Sequence, residues 1–163
     1  MLTGCSDEGG QASPVTNQPG PNTATGAPPA GEDPFAGIDR CEILDQALEG
    51  EGLPPGEVAT VVREKGCDVD KRRSMSLGFV LDSGARYDEV QADPSEVFDG
   101  AVNGRPAVLV KFKHVERDCA ISMQVTAESH AFLVVALYEG TREEACGFAT
   151  KVMGKIEPQL PKG

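Results

Sequence analysis

Tryptophan is absent from the 163 residues, and two tyrosines and six phenylalanines are the whole aromatic complement. A core without large rings must be assembled from Val, Leu, Ile and Met, so a second source of stability is expected in a domain this small. No apolar run approaches the roughly 20 residues that a membrane-spanning helix needs, so the folded part is expected to be water-soluble. Bases are scarce: 15 Lys and Arg stand against 26 Asp and Glu, a formal charge of -11. A surface that negative repels phosphate backbones, which argues against a nucleic-acid partner. It equally opposes direct docking on anionic lipid head groups.

The inventory for chemistry is thin as well. There is no G-x-S-x-G elbow and no phosphate-cradling glycine loop. The two histidines, His114 and His130, fall near the ends of predicted strands and read as solvent-facing loop residues rather than as part of a Ser-His-Asp arrangement. Asp68 and Asp70 flank Val69 and point to one side of a strand, but without further oxygen ligands they read as a solvated face rather than a calcium site. No cofactor and no metal are expected, and the chain is not read as an enzyme.

What is present begins with Leu2-Thr3-Gly4-Cys5, an apolar-small-small-Cys box of the kind that ends a bacterial lipoprotein signal, with Cys5 the residue that carries the lipid. Only Met1 and Leu2 precede it, where a basic start and an apolar run of about 7–15 residues belong. The chain is therefore read as trimmed, or as having its start assigned too late. The competing reading is an accidental match in a cytosolic protein with reduced thiols. Setting Cys5 aside leaves Cys41, Cys67, Cys119 and Cys146, an even number without the close C-x-x-C spacing of a zinc site, as expected of disulfides in an oxidising compartment.

Residues 6–34 hold four acids, no base and no aromatic, with Val15 the only bulky aliphatic. Such a segment cannot bury enough apolar surface to offset its ordering entropy and is predicted to be a disordered tether. Its ends would lie about 30 Å apart as a random coil. The division is thus 1–5 lipobox remnant, 6–34 tether and 35–163 globular domain.

Within the domain, Asp39 caps a short helix through Leu48 that lines up Ile43, Leu44, Ala47 and Leu48. Residues 57–71 could place Val58, Val61 and Val62 on a helix ending at Gly66, but their β-branched content and the Cys67, Val69 alternation favour a strand, and 75–81 reads as another. Pro94-Ser95-Glu96 suggests one turn of helix. Asn103-Gly104 marks a tight hairpin returning through 107–113. Residues 119–126 and 131–138 form two strands turning at Glu128-Ser129, a register that sets Cys119 opposite Tyr138 and Ile121 with Ala136. Thr141-Arg142-Glu143-Glu144 is a capping box for a helix bearing Ala145, Phe148, Ala149, Val152 and Ile156 on one stripe and ending at Pro158. The predicted class is α+β: a single domain with an antiparallel sheet of about five strands, both helices on one face, and two disulfides. Cys146 falls in the first turn of the closing helix, close to the end of the strand opposite Cys119, which selects Cys119–Cys146 among the three pairings and leaves Cys41–Cys67. Each bond closes a loop worth roughly 3 kcal/mol.

The lipobox, the tether, Asp39-Arg40-Cys41-Glu42-Ile43-Leu44, Gly66-Cys67, Val102-Asn103-Gly104-Arg105, Cys119, Ala145-Cys146 and Leu160-Pro161 together resemble an actinobacterial envelope lipoprotein family, number 3558 in the domain-of-unknown-function series. The resemblance implies an exported, lipid-anchored domain on the outer face of the cell membrane.

Two surface features stand out. Lys71-Arg72-Arg73 is the one basic cluster in an acidic chain, read either as an ordinary charged turn between strands or as part of a binding patch for an acidic partner or a wall polymer. In the predicted register Leu133, Val135 and Leu137 face away from Cys119, either beneath a second layer or as an exposed apolar binding patch. The preferred function is a non-catalytic binding or accessory module, moored to the membrane through Cys5, that recruits an unidentified envelope protein or ligand. The alternative is a carrier of a small apolar ligand such as a lipid, in a pocket lined by Phe79, Phe112, Phe132 and Val134.

Overall fold

The computed structural model describes residues 32–59, 66–93 and 96–162. Cys5, nearly all of the tether, residues 60–65 and Pro94-Ser95 lie outside them. Two helices and one antiparallel sheet make up the rest. The strands are β1 (Glu57–Ala59), β2 (Gly66–Lys71), β3 (Met75–Asp82), β4 (Val97–Val102), β5 (Arg105–Val110), β6 (Asp118–Thr126) and β7 (Ser129–Leu137). The helices are α1 (Arg40–Ala47) and α2 (Arg142–Ile156).

The sheet has seven strands in the order β1-β2-β3-β7-β6-β5-β4, against the roughly five expected. Residues 57–71 hold two strands rather than one, and these pair with each other through Val58↔Cys67. β4 carries little alternation because it is an edge strand: Phe98, Asp99, Gly100 and Ala101 are all exposed. With most of both sides wet, nothing selects a two-residue pattern there.

Both helices start as their sequences dictate. The Asp39 carboxylate accepts from the Cys41 and Glu42 amides at 2.9 and 3.2 Å. At α2 the Thr141 hydroxyl accepts from the Glu144 amide at 3.2 Å while the Glu144 carboxylate accepts from the Thr141 amide at 2.7 Å. Orphan amide donors at both N-termini are thereby satisfied. α2 ends at Ile156 and passes into a 3-10 turn, Glu157–Gln159, that contains Pro158.

The helices lie on the same side of the sheet and share one core. Leu44, Ala145, Ala149, Val152, Met153 and Ile156 meet Val69, Leu77, Phe79, Met123, Leu133 and Val135 there. Each disulfide fastens one helix to this face. Cys41–Cys67 joins α1 to β2 with Cα atoms 5.1 Å apart, and Cys119–Cys146 joins β6 to α2 at 5.0 Å. Gly56 lies so close to the first bond that a Cβ there would collide with the Cys67 sulfur. At the opposite edge Asn103 and Gly104 turn with φ of 50° and 89°. That hairpin is held to the end of α2 by Arg105 Nε on Glu157 Oε1 at 2.8 Å and by Asn103 Nδ2 on the Gly154 carbonyl at 2.9 Å.

The strand order forces one long crossover. β3 lies beside β7, but β4 is the far edge, so the chain after Asp82 must cross β7, β6 and β5. It does so over the face away from the helices, and its Tyr87, Val90 and Ala92 pack on Val108, Val110 and Ala120, with Phe112, Phe132 and Val134 partly buried around them. This strap covers only part of that face.

Candidate functional site

The pairing of β6 with β7 decides which residues face out. Cys119 stands opposite Val135, Ile121 opposite Leu133 and Met123 opposite Ala131, three positions along β7 from the expected register. The hairpin turns at Ala127-Glu128, with Thr126 paired to Ser129 and a bulge before it, rather than at Glu128-Ser129. Because side chains alternate with period two, an odd slip exchanges the faces of the whole strand. Leu133 and Val135 are therefore fully buried beneath the helices and Leu137 is half-buried against the same core. They form no surface patch. The same slip separates the residues expected around a carrier pocket: Phe79 is sealed on the helix face while Phe112, Phe132 and Val134 lie beneath the strap on the other.

The basic cluster also divides. Lys71 reaches back to donate to the Gly52 carbonyl at 3.0 Å. Arg72 and Arg73 remain exposed at the β2–β3 turn, with Arg73 in the left-handed region at φ 62°. Tyr138 joins this turn directly, since its amide donates to the Ser74 carbonyl at 3.0 Å.

At this end of the sheet the face away from the helices is free of the strap. Register places four residues in one row across four strands: Asp118 opposite Ala136, Ala136 opposite Ser76, and Ser76 opposite Asp70. Three strand spacings make the row about 14 Å long. Its floor is small, half-buried side chains, Ala136 and Ser76, with Gly78 one step behind, and its two ends are carboxylates. Tyr138 lies on the same side, 49% exposed, its hydroxyl 3.5 Å from Asp70 Oδ2.

Beside the row the β5–β6 connection curls into an open depression of about 650 Å³, lined by residues 113–118 with Leu137 and Tyr138. Two of the four exposed large apolar residues of the described chain, Val115 and Tyr138, are here. The loop is held in place by two arginines. Arg142 Nη2 donates to the carbonyls of Phe112 and Val115 at 2.7 and 2.9 Å, and Arg117 Nη1 donates to the Tyr138 carbonyl at 2.6 Å. Burial pushes the Asp118 carboxyl above the ordinary carboxylate range, with the Arg142 charge pulling the other way. Burial also raises Asp68, on the next row of β2. Desolvation without a dedicated cation is what such shifts report.

The two histidines part company. His114 is exposed in the depression. His130 is not a loop residue but part of β7, and its Nδ1 lies 2.9 Å from the Ala85 carbonyl. A carbonyl only accepts, so Nδ1 carries the proton and the ring pins the start of the strap. Among the described residues no group of three His, Cys, Asp or Glu side chains converges on a metal position.

Sequence reasoning singled out the Lys71-Arg72-Arg73 turn but missed Tyr138, Val115, Arg117 and Asp118 as a group. Their signal was the register itself, which puts even-numbered β6 and β7 residues outside. A sequence profile described as a protein of unknown function, DUF3558, matches residues 1–159. The chain belongs to this family. No curated protein and no solved structure matches it. In this DUF3558 chain the match takes in all five cysteines and the whole described row.

Proposed function

We propose that this chain is a cell-envelope lipoprotein, attached through an acyl group on Cys5 to the outer face of the membrane and acting there as a non-catalytic binding or accessory module. The observation that carries the binding role is the unstrapped corner of the sheet, where half-exposed Tyr138 and Val115 line an open depression and Tyr138 is hydrogen-bonded to the turn that carries Arg72 and Arg73. Exposed rings and apolar side chains grouped in a concavity are the ordinary equipment of recognition surfaces. Attachment and compartment are supported by the Leu2-Thr3-Gly4-Cys5 box, the polar 6–34 segment and two disulfides of a kind that persists outside the reducing cytosol. Among the described residues no helix is long and apolar enough to cross a membrane. The carrier alternative loses its expected chamber, because Phe79 lies on the opposite face from Phe112, Phe132 and Val134.

Mass spectrometry of native material tests the attachment: a diacylglyceryl mass on the Cys5 peptide is expected, and an unmodified thiol there contradicts it. Photocrosslinking in intact cells from a probe at position 115 tests the binding role. A discrete adduct absent with the probe at exposed Ala101 is expected, and identical patterns from both positions contradict it.

A further inference from the structure

We infer that the unstrapped corner of the sheet is a saccharide-binding site, with the row Asp118–Ala136–Ser76–Asp70 as its floor and the Tyr138 ring as its stacking platform. The inference rests on the binding-module reading and adds the class of ligand.

A sugar ring presents an apolar C–H face and a girdle of hydroxyls that both donate and accept. Its site therefore needs a flat exposed ring, charged or polar groups of both kinds at the margin, and a floor low enough for the ring to lie down. All three coincide here. Tyr138 is 49% exposed and directly follows β7 beside the floor. Ala136 and Ser76 keep that floor low, since no side chain larger than a hydroxymethyl rises from it. Asp118 and Asp70 supply acceptors at its two ends, and Arg117, fixed to the Tyr138 carbonyl, supplies donors at the rim. A carboxylate takes two hydroxyl donors at once, which is the pairing a vicinal diol offers.

Other ligand classes fit less well. An anionic polymer meets Asp118, Asp70 and Glu116; a cationic one meets Arg117, Lys113, Arg72 and Arg73. An acyl chain needs a closed apolar groove, and this one is open and charged at its rim. A neutral polyol is penalised by neither sign of charge. The row of about 14 Å suits a short oligomer rather than a single ring.

Calorimetric titration of the full chain, disulfides intact, against triacetylchitotriose, maltotriose and mannotriose is the test. At least one is expected to bind saturably, with a Kd on the order of 1 mM or tighter. Tyr138→Ala and Asp70→Ala should each weaken it about tenfold or more, while Tyr138→Phe, which keeps the ring, stays within about threefold. Both exposed sites should leave the melting temperature unchanged, so lost binding is not lost folding. No heat from any of the three sugars up to about 10 mM overturns the inference, as does binding indifferent to Tyr138→Ala. Tighter binding of hexaglutamate, hexalysine or phosphatidylglycerol vesicles at the same residues also overturns it, yet leaves the binding-module reading standing. A discrete adduct at position 115 in cells without heat from any of the sugars overturns the saccharide inference alone, whereas the absence of both adduct and sugar binding overturns the binding-module reading with it.

Discussion

The two faces of the sheet are treated differently by the chain. Toward the helices, Val69, Leu77, Phe79, Leu133 and Val135 are each at most 3% exposed, and both disulfides cross that interface. On the other side the apolar residues of comparable burial are Val108, Val110 and Ala120, beneath a strap whose residues 83–93 hold no helix or strand, and the remaining corner is wet. The helix face is thus where burial and crosslinks stabilise the fold. The opposite face contributes less to stability, which leaves its corner free to carry polar groups that a packed core would exclude. A domain without Trp obtains rigidity by riveting each helix to the sheet, and Gly56 shows how closely the chain approaches one rivet.

The largest expected effect separates the faces directly. Phe79→Ala, on the sealed side, should cost about 3–5 kcal/mol in urea unfolding, and Phe132→Ala, half-buried under the strap, about 1–2 kcal/mol. Equal losses would erase the distinction. Next, replacing Cys119 and Cys146 together by Ser should cost about 2–5 kcal/mol, and a similar loss should follow for Cys41 and Cys67. If either pair proves dispensable by thermal unfolding, the rivet picture fails at that helix.

Smaller effects sharpen the account of the far face. Ser122 is fully buried beneath the strap, and its hydroxyl has no hydrogen-bond partner among the described residues. Ser122→Ala should be neutral or stabilise by up to about 1 kcal/mol, because it removes an unmet polar group. A clear loss in the same unfolding assay would show that the hydroxyl is satisfied. Asp68 offers a pH test. Burial raises its folded pKa above the ordinary aspartate value, so its protonated form favours the fold. That contribution is fully present below the unfolded value and is lost as pH rises through the folded one. Asp68→Asn should therefore gain slightly in stability at neutral pH, with the gain vanishing below about pH 4. A gain that grows on acidification would reverse the assignment.

Much of this was legible in the residues. Asp39 and the Thr141–Glu144 box announced both helix starts, Asn103-Gly104 announced its hairpin, and the position of Cys146 in a first helical turn led to both disulfide pairs. The β6–β7 register was not legible, because a turn at Ala127-Glu128 with a bulge beside it looks locally much like one at Glu128-Ser129. That slip moved Leu133, Val135 and Leu137 from a candidate surface to the core and put Tyr138 and Asp118 on the same face. Nor does local pattern reveal that β4 is the far edge, so the strap across the sheet could not be anticipated.

Amide chemical-shift mapping during a triacetylchitotriose titration tests the division of faces most directly. The account predicts that shifts concentrate on Asp70, Ser76, Asp118, Ala136 and Tyr138 while the amides of Val69, Phe79, Leu133 and Val152 stay still. Shifts centred on the strap or on the helix face, or none anywhere, would contradict it.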